Sequence, residues 1–364
     1  MSIETDLRKD GIEVLQKLDT LHINSIAKNV SESLVNGLPE LNLNYNELFM
    51  KLSRLDMYLA KIPNGMAEAN YCYVNSSIYF NHMADFTKVS TFAVHECIHY
   101  LQEVRDNKNN LTKLGLYDFS TGMALNESAV QLMTSKAISE PEDEVKYYDI
   151  TLKTTSPNYY PLLCNLVKQM TYVTGDYSLY TSTFYGTNSF KEKFCSLCGE
   201  KNYYRILKNL DKLLYVEEEI IELTNKLQSM ELKSNSNQKI MAKIEKNKKY
   251  IRNLYFSIQN LILVSYFDNL YKQLYTLEDI ESYRSRLYHY KDYIGTTNDY
   301  FFFNDYYLSK MEKLEAKKDA LQGSASTTAL IYIKESKIST FWRAIKNLFT
   351  KSTSAMEYNK KKSN

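Results

Sequence analysis

Apolar positions recur every three or four residues over long parts of the chain, which is the period of a helix with one buried stripe. Residues 12–60 read as helices joined by short turns: residues 23–35 form one segment, closed by Gly37, Leu38 and Pro39, and residues 45–62 form another, closed by Pro63, Asn64 and Gly65. The pattern then shortens. Tyr71, Cys72, Tyr73 and Val74, then Ile78, Tyr79 and Phe80, are aromatic and β-branched runs split by Asn75, Ser76 and Ser77. They predict a β-hairpin or a bent edge strand. Ser90 or Thr91 caps a following helix expected to reach Val104, residues 106–110 read as a loop, and helices are expected over 123–137 and 159–174. Further on, Ile220, Leu223, Leu227 and Met230 form one stripe, and Ile240, Ile244, Ile251, Leu254, Ile258 and Leu261 form a second. The polar break at 233–237 between them predicts an antiparallel helical hairpin.

These elements predict an α+β chain, mostly α, in three parts: a domain over 1–210 with a small edge-strand sheet, a helical extension over 211–321, and a linker with a basic amphipathic tail over 322–364. The scarcity of Gly (10) and Pro (5) in 364 residues argues against a turn-rich β-sandwich. A formal net charge of +2 gives no reason to expect a nucleic-acid partner. The 32 tyrosines, with abundant Lys, Asn and Ile, read as the imprint of AT-rich coding, as in low-GC bacteria. No signal-like segment or membrane span is legible, and the five scattered cysteines suit a reducing compartment, so a cytoplasmic protein is expected.

The chemistry concentrates in His95-Glu96-Cys97-Ile98-His99. On a helix, residues four apart share a face, so His95 and His99 can offer two imidazoles to one Zn²⁺ ion. Glu96 is then placed to act as general base, activating a zinc-bound water, and as acid toward the leaving amine. Cys97 points away from that face and reads as core.

Taken with the preceding strand signal and the Asn126-Glu127 pair on the 123–137 helix, this motif resembles the zincin metallopeptidases, and within them the gluzincin branch. The metzincin extension is absent, because Gln102 and Arg105 stand where its Gly and third His would be. The resemblance covers roughly residues 65–200. It implies a zincin-like fold, a Zn²⁺ cofactor and a peptide or protein substrate. It implies Glu127 as third ligand, favoured over Asp118, the choice of the aspzincin pattern. It also implies that the strand around Tyr71 and Tyr73 pairs with substrate, and that a later Tyr or His (Tyr185, Tyr160 or His289) stabilises the oxyanion. Where several gluzincins carry an Asp four residues past the ligand Glu, this chain has Gln131, a weaker acceptor for an imidazole.

Two signals stand apart. Cys195 and Cys198 are half of a zinc-ribbon pattern without a second half, and read as packed thiols. Phe341, Trp342, Ile345, Leu348 and Phe349 lie on a basic amphipathic segment, expected to dock on the body or, alternatively, to make a peripheral membrane or protein contact. The competing functional reading is a non-hydrolytic zincin-like module acting through its helical C-terminal region.

Overall fold

The computed structural model describes residues 11–63, 68–84, 89–229, 235–294 and 301–323. The chain separates into two compact units, Met1–Met311 and Glu312–Asn364. The fold is α+β and mostly helical, with small sheets. No described helix is long and apolar enough to cross a membrane. The amphipathic segment at 337–349 lies outside the described residues.

Strand β1 (Glu13–Lys17) leads into helix α1 (Thr20–Gly37), whose N-cap Asp19 accepts from the amide of His22 at 2.9 Å. Ile23, Ile26, Ala27, Val30 and Leu34 form its buried stripe. A Cβ on Gly37 would lie 2.4 Å from the Cα of Ala137, so only glycine lets α1 end against that backbone. After a 3-10 turn (Pro39–Leu41), helix α2 (Tyr45–Leu52) is capped by Asn44.

Here the structure corrects the sequence reading. The helix expected to reach Ile62 stops at Leu52, and strand β2 (Asp56–Lys61) takes its place. Residues 13–17 are likewise a strand rather than helix. Leu55, Tyr58, Leu59 and Ile62 suit a helical stripe as well as a strand. Pairing on both sides of β2 decides the matter, antiparallel to β1 and parallel to the strand at Ser77–Asn81. Strand β3 (Ala69–Cys72) and strand β4 (Ser77–Asn81) form the expected hairpin, with Tyr71 opposite Ile78. The sheet order is β1-β2-β4-β3, which leaves β3 at an edge.

Helix α3 (Val89–Leu101) packs on β3 and buries Ala93, Val94, Cys97 and Ile98 completely. It ends three residues short of the expected Val104, because Glu103–Arg105 (β5) pairs with Leu111–Leu114 (β6). Helix α4 (Met123–Ala137) matches its expected span and is buried on nearly every side, packed among α1, α3 and three later helices. A helix enclosed in this way carries no clean amphipathic stripe. Its first turn is held from a distance: Asp211 accepts the amides of Gly122 and Ala124, each at 2.9 Å.

A second hairpin, β7 (Asp143–Tyr147) with β8 (Ile150–Thr154), precedes α5 (Pro161–Thr174), α6 (Asp176–Tyr185) and α7 (Ser189–Cys198). Two long helices, α8 (Glu200–Ser229) and α9 (Asn235–Tyr271), lie antiparallel, with Lys212 over the Tyr250 ring and Asn247 bonded to Glu219. Helix α8 runs without a break through residue 210. Helices α10 (Leu277–Ile294) and α11 (Phe301–Gly323) follow. Several tyrosines serve this core. Tyr255 and Tyr290 are fully buried and donate to Asn165 at 2.6 Å and Gln169 at 3.1 Å, and those two amides bond each other at 2.8 Å. Each buried phenol thus keeps the partner its burial requires.

Candidate metal centre

Helices α3 and α4 cross so that one turn of each faces the other. From α3, His95 and His99 bring their Nε2 atoms to 3.0 Å. From α4, Glu127 sets Oε2 3.4 Å from His95 Nε2 and 3.5 Å from His99 Nε2. These three residues are the only group of three or more His, Cys, Asp or Glu side chains among the described residues with donor atoms this close together. Ligands about 2.0–2.1 Å from a tetrahedral ion stand about 3.3 Å apart. The three separations bracket that value, and two imidazoles with one carboxylate are a donor set suited to zinc. The residues present fit the ion.

The electrostatics point the same way. Burial opposes a charged His95, but Glu127, Glu96 and Gln131 outweigh it and raise its affinity for a proton. Burial would likewise raise Glu127, yet His99 and His95 hold its carboxyl well below the usual range. Two imidazoles and one carboxylate thus face one another at separations that a shared divalent cation would suit.

The surrounding shell orders the imidazoles. Gln131 Oε1 lies 2.9 Å from His95 Nδ1, an acceptor for the Nδ1–H that leaves Nε2 free to ligate. Gln131, one turn past Glu127, is therefore placed to orient the His95 ring. The amide of Gln102 lies 2.8 Å from His99 Nδ1. Sequence reasoning missed this contact. Its only signal is that Gln102 stands three residues after His99, on the same face of the turn.

Glu96 projects beside the group and accepts the backbone amide of Tyr71 at 2.7 Å. The candidate base is thereby fixed to the edge strand. Tyr71 turns its hydroxyl to Glu103 at 2.6 Å, and Tyr73 is half-exposed with its ring against Phe119.

The remaining candidates separate. Asp118 accepts from Ser120 and from the amide of Thr121 and stays outside the His-His-Glu group. Tyr185 is half-exposed and donates to the Leu41 carbonyl, and His289 is exposed beside Asp292. Tyr160 is different. It sits in the left-handed region (φ 50°) immediately before Pro161, an unfavourable conformation for a pre-proline residue. Burial and the carboxylates of Glu127, Glu96, Glu218 and Glu217 push its phenol well above the ordinary value, so it remains a hydrogen-bond donor. Its neighbour Tyr159 bonds Glu68, just before β3, which ties this loop to the edge-strand side of the site. Cys97, Cys195 and Cys198 are free thiols outside the metal group, and Cys97 is fully buried.

Comparison with protein-family models, with curated proteins and with solved structures finds no match for this chain.

Proposed function

We propose that the protein is a zinc-dependent peptidase of the zincin type, with His95, His99 and Glu127 as ligands and Glu96 as general base and acid. The observation that carries this reading is the placement of Glu96. Glu96 bonds the backbone of the edge strand while standing next to the first histidine of the pair, which supports reading it as a base set between the ligands and a peptide-pairing edge.

Zinc, when bound, supplies Lewis acidity that makes a water easier to deprotonate and a peptide carbonyl easier to attack. The chain's own groups do the rest. Strand β3 offers the part of its outer edge beyond the Tyr71 amide, which Glu96 holds, to an extended peptide, an arrangement that gives affinity through the main chain without selecting side chains. Glu96 takes a proton from the attacking water and returns it to the amine that leaves. Tyr160, whose phenol lies in the field of the Glu127 and Glu96 carboxylates, donates to the oxyanion that develops at the cleaved bond. This role falls to Tyr160 rather than to Tyr185 or His289, which are engaged elsewhere.

The test combines metal analysis with peptide hydrolysis. Wild-type protein should carry about one zinc per chain, Glu127→Ala should lose most of it, and Glu96→Gln should keep it while losing hydrolysis by roughly 10²–10⁴-fold. Glutamine retains an oxygen for the Tyr71 amide, so the strand should stay in place. A wild type without zinc refutes the reading. A Glu96→Gln protein that retains its cellular role supports the non-hydrolytic module instead.

A further inference from the structure

Gln102 is 1% exposed, and its amide carries an unresolved conflict. With Nε2 toward His99, its Oε1 is buried without a hydrogen-bond partner. That oxygen does not lie in an apolar space. A Cβ built on Gly115 would come within 2.3 Å of Gln102 Oε1, 2.5 Å of Asn126 Oδ1 and 2.8 Å of the Thr183 carbonyl oxygen. Three acceptors therefore converge on the face of one glycine. Asn126 Oδ1 already accepts from the Leu116 amide at 3.0 Å, which fixes its own orientation as an acceptor. The Thr183 carbonyl belongs to the last turn of α6, where carbonyls lack an intrahelical donor.

The two ends of an amide have nearly the same shape, so the hydrogen-bond network decides which end lies where. Turning the Gln102 amide over gives each group a complementary neighbour. Oε1 then faces His99 Nδ1–H as its acceptor, and Nε2 faces the acceptors Asn126 Oδ1 and Thr183 O. The same turn supplies what a ligand histidine needs, since a ring bound through Nε2 must carry its proton on Nδ1.

We propose that Gln102 is the positioning residue for His99. Its side-chain oxygen holds the ring as the Nδ1–H tautomer, and its side-chain nitrogen ties that ring to Asn126, the residue before Glu127, and to the end of α6. The second and third ligands are thus held to each other through one amide. Gly115 makes this possible: it is left-handed (φ +54°), and any side chain there would occupy the place of the amide. Gln131 does for His95 what Gln102 does for His99, but Gln102 also couples its ring on α3 to two further helices, α4 and α6.

This inference rests on the zinc reading, and the experiment separates the two. Zinc dissociation constants are measured by chelator competition for wild type, Gln102→Met and Gln102→Glu, alongside unfolding of the metal-free proteins. Methionine fills the space without either polar end and should weaken zinc binding 10- to 100-fold. Glutamate restores an acceptor for Nδ1–H and should recover affinity to within tenfold of wild type. Its second oxygen faces two other acceptors, so the metal-free protein should lose stability. A merely structural role would lower stability in both variants and leave the affinity of the folded protein unchanged. A folded Gln102→Met protein within twofold of wild type overturns the proposal. A second measurement needs no substitution: ¹⁵N-labelled zinc-loaded wild type should show His99 protonated at Nδ1 and slowly exchanging Gln102 amide protons, and freely exchanging ones overturn it. Wild type that takes up no zinc refutes the metal centre itself.

Discussion

Asp211 is the residue on which a long-range test of this architecture is sharpest. It lies on α8, 89 positions after Gly122, and its carboxylate accepts both the Gly122 and the Ala124 amides at 2.9 Å. These amides open α4 and have no partner within the helix. A carboxylate at this position also answers the partial positive charge of the helix N-terminus. Charge-assisted bonds contribute about 1.5–3 kcal/mol each, but removal is partly offset because water reaches a half-buried site, so Asp211→Ala should cost about 2–3 kcal/mol locally. At 1.4 kcal/mol per tenfold, that is a roughly 30- to 150-fold loss of protection against hydrogen exchange at Gly122 and Ala124. Asp211→Asn keeps one acceptor without the charge and should fall between. Exchange read residue by residue is the right assay, because it reports local opening without requiring the whole chain to unfold in one step. Since Glu127 lies one turn beyond, zinc affinity should fall alongside. A change of less than threefold at both amides would refute the claim that α8 secures the start of the ligand helix.

Other consequences are open to test. Glu217 is buried with neither oxygen bonded, and burial together with Glu218 pushes its carboxyl up to about 8 from an ordinary 4.5. Between those pH values the folded protein holds a proton that the unfolded chain has released. Stability should therefore fall as pH rises from about 4.5 to 8, by at most about 1.4 kcal/mol per unit, and Glu217→Gln should flatten that slope in a urea series. Gly37→Ala would drive a methyl into the Ala137 backbone, and the resulting overpacking should cost about 1–3 kcal/mol or more in thermal or urea unfolding. Tyr160→Phe removes the proposed oxyanion donor and should lower kcat roughly 10²-fold with zinc affinity unchanged; an unchanged kcat would exclude it from that role.

How much of this was legible in the sequence follows from the range of the forces involved. The i, i+4 spacing of His95 and His99 is a local property of a helix, so their shared face was available from the chain alone. The 123–137 helix and the hairpin of β3 and β4 were also readable, because their turn residues and apolar periods lie within a few positions of one another. Gln131 belongs to the same class: one turn past Glu127, it could be placed on the ligand's own face before any fold was known.

Other features depended on contacts across the chain. Residues 56–61 suit either period, and they became a strand because β1 and β4 flank them. No local pattern distinguished Tyr160 from the other tyrosines. Its place follows from a left-handed turn before Pro161 and from carboxylates brought to it by α3, α4 and α8. Asp211 and the meeting of Gln102, Gly115, Asn126 and Thr183 arise from separate segments, and a hydrogen bond carries no trace in sequence spacing once its partners lie on different elements. The sequence by itself determined which groups can bind and activate. The tertiary structure decided which groups hold them in place, because a short-range bond between distant residues exists only after burial has brought their helices together.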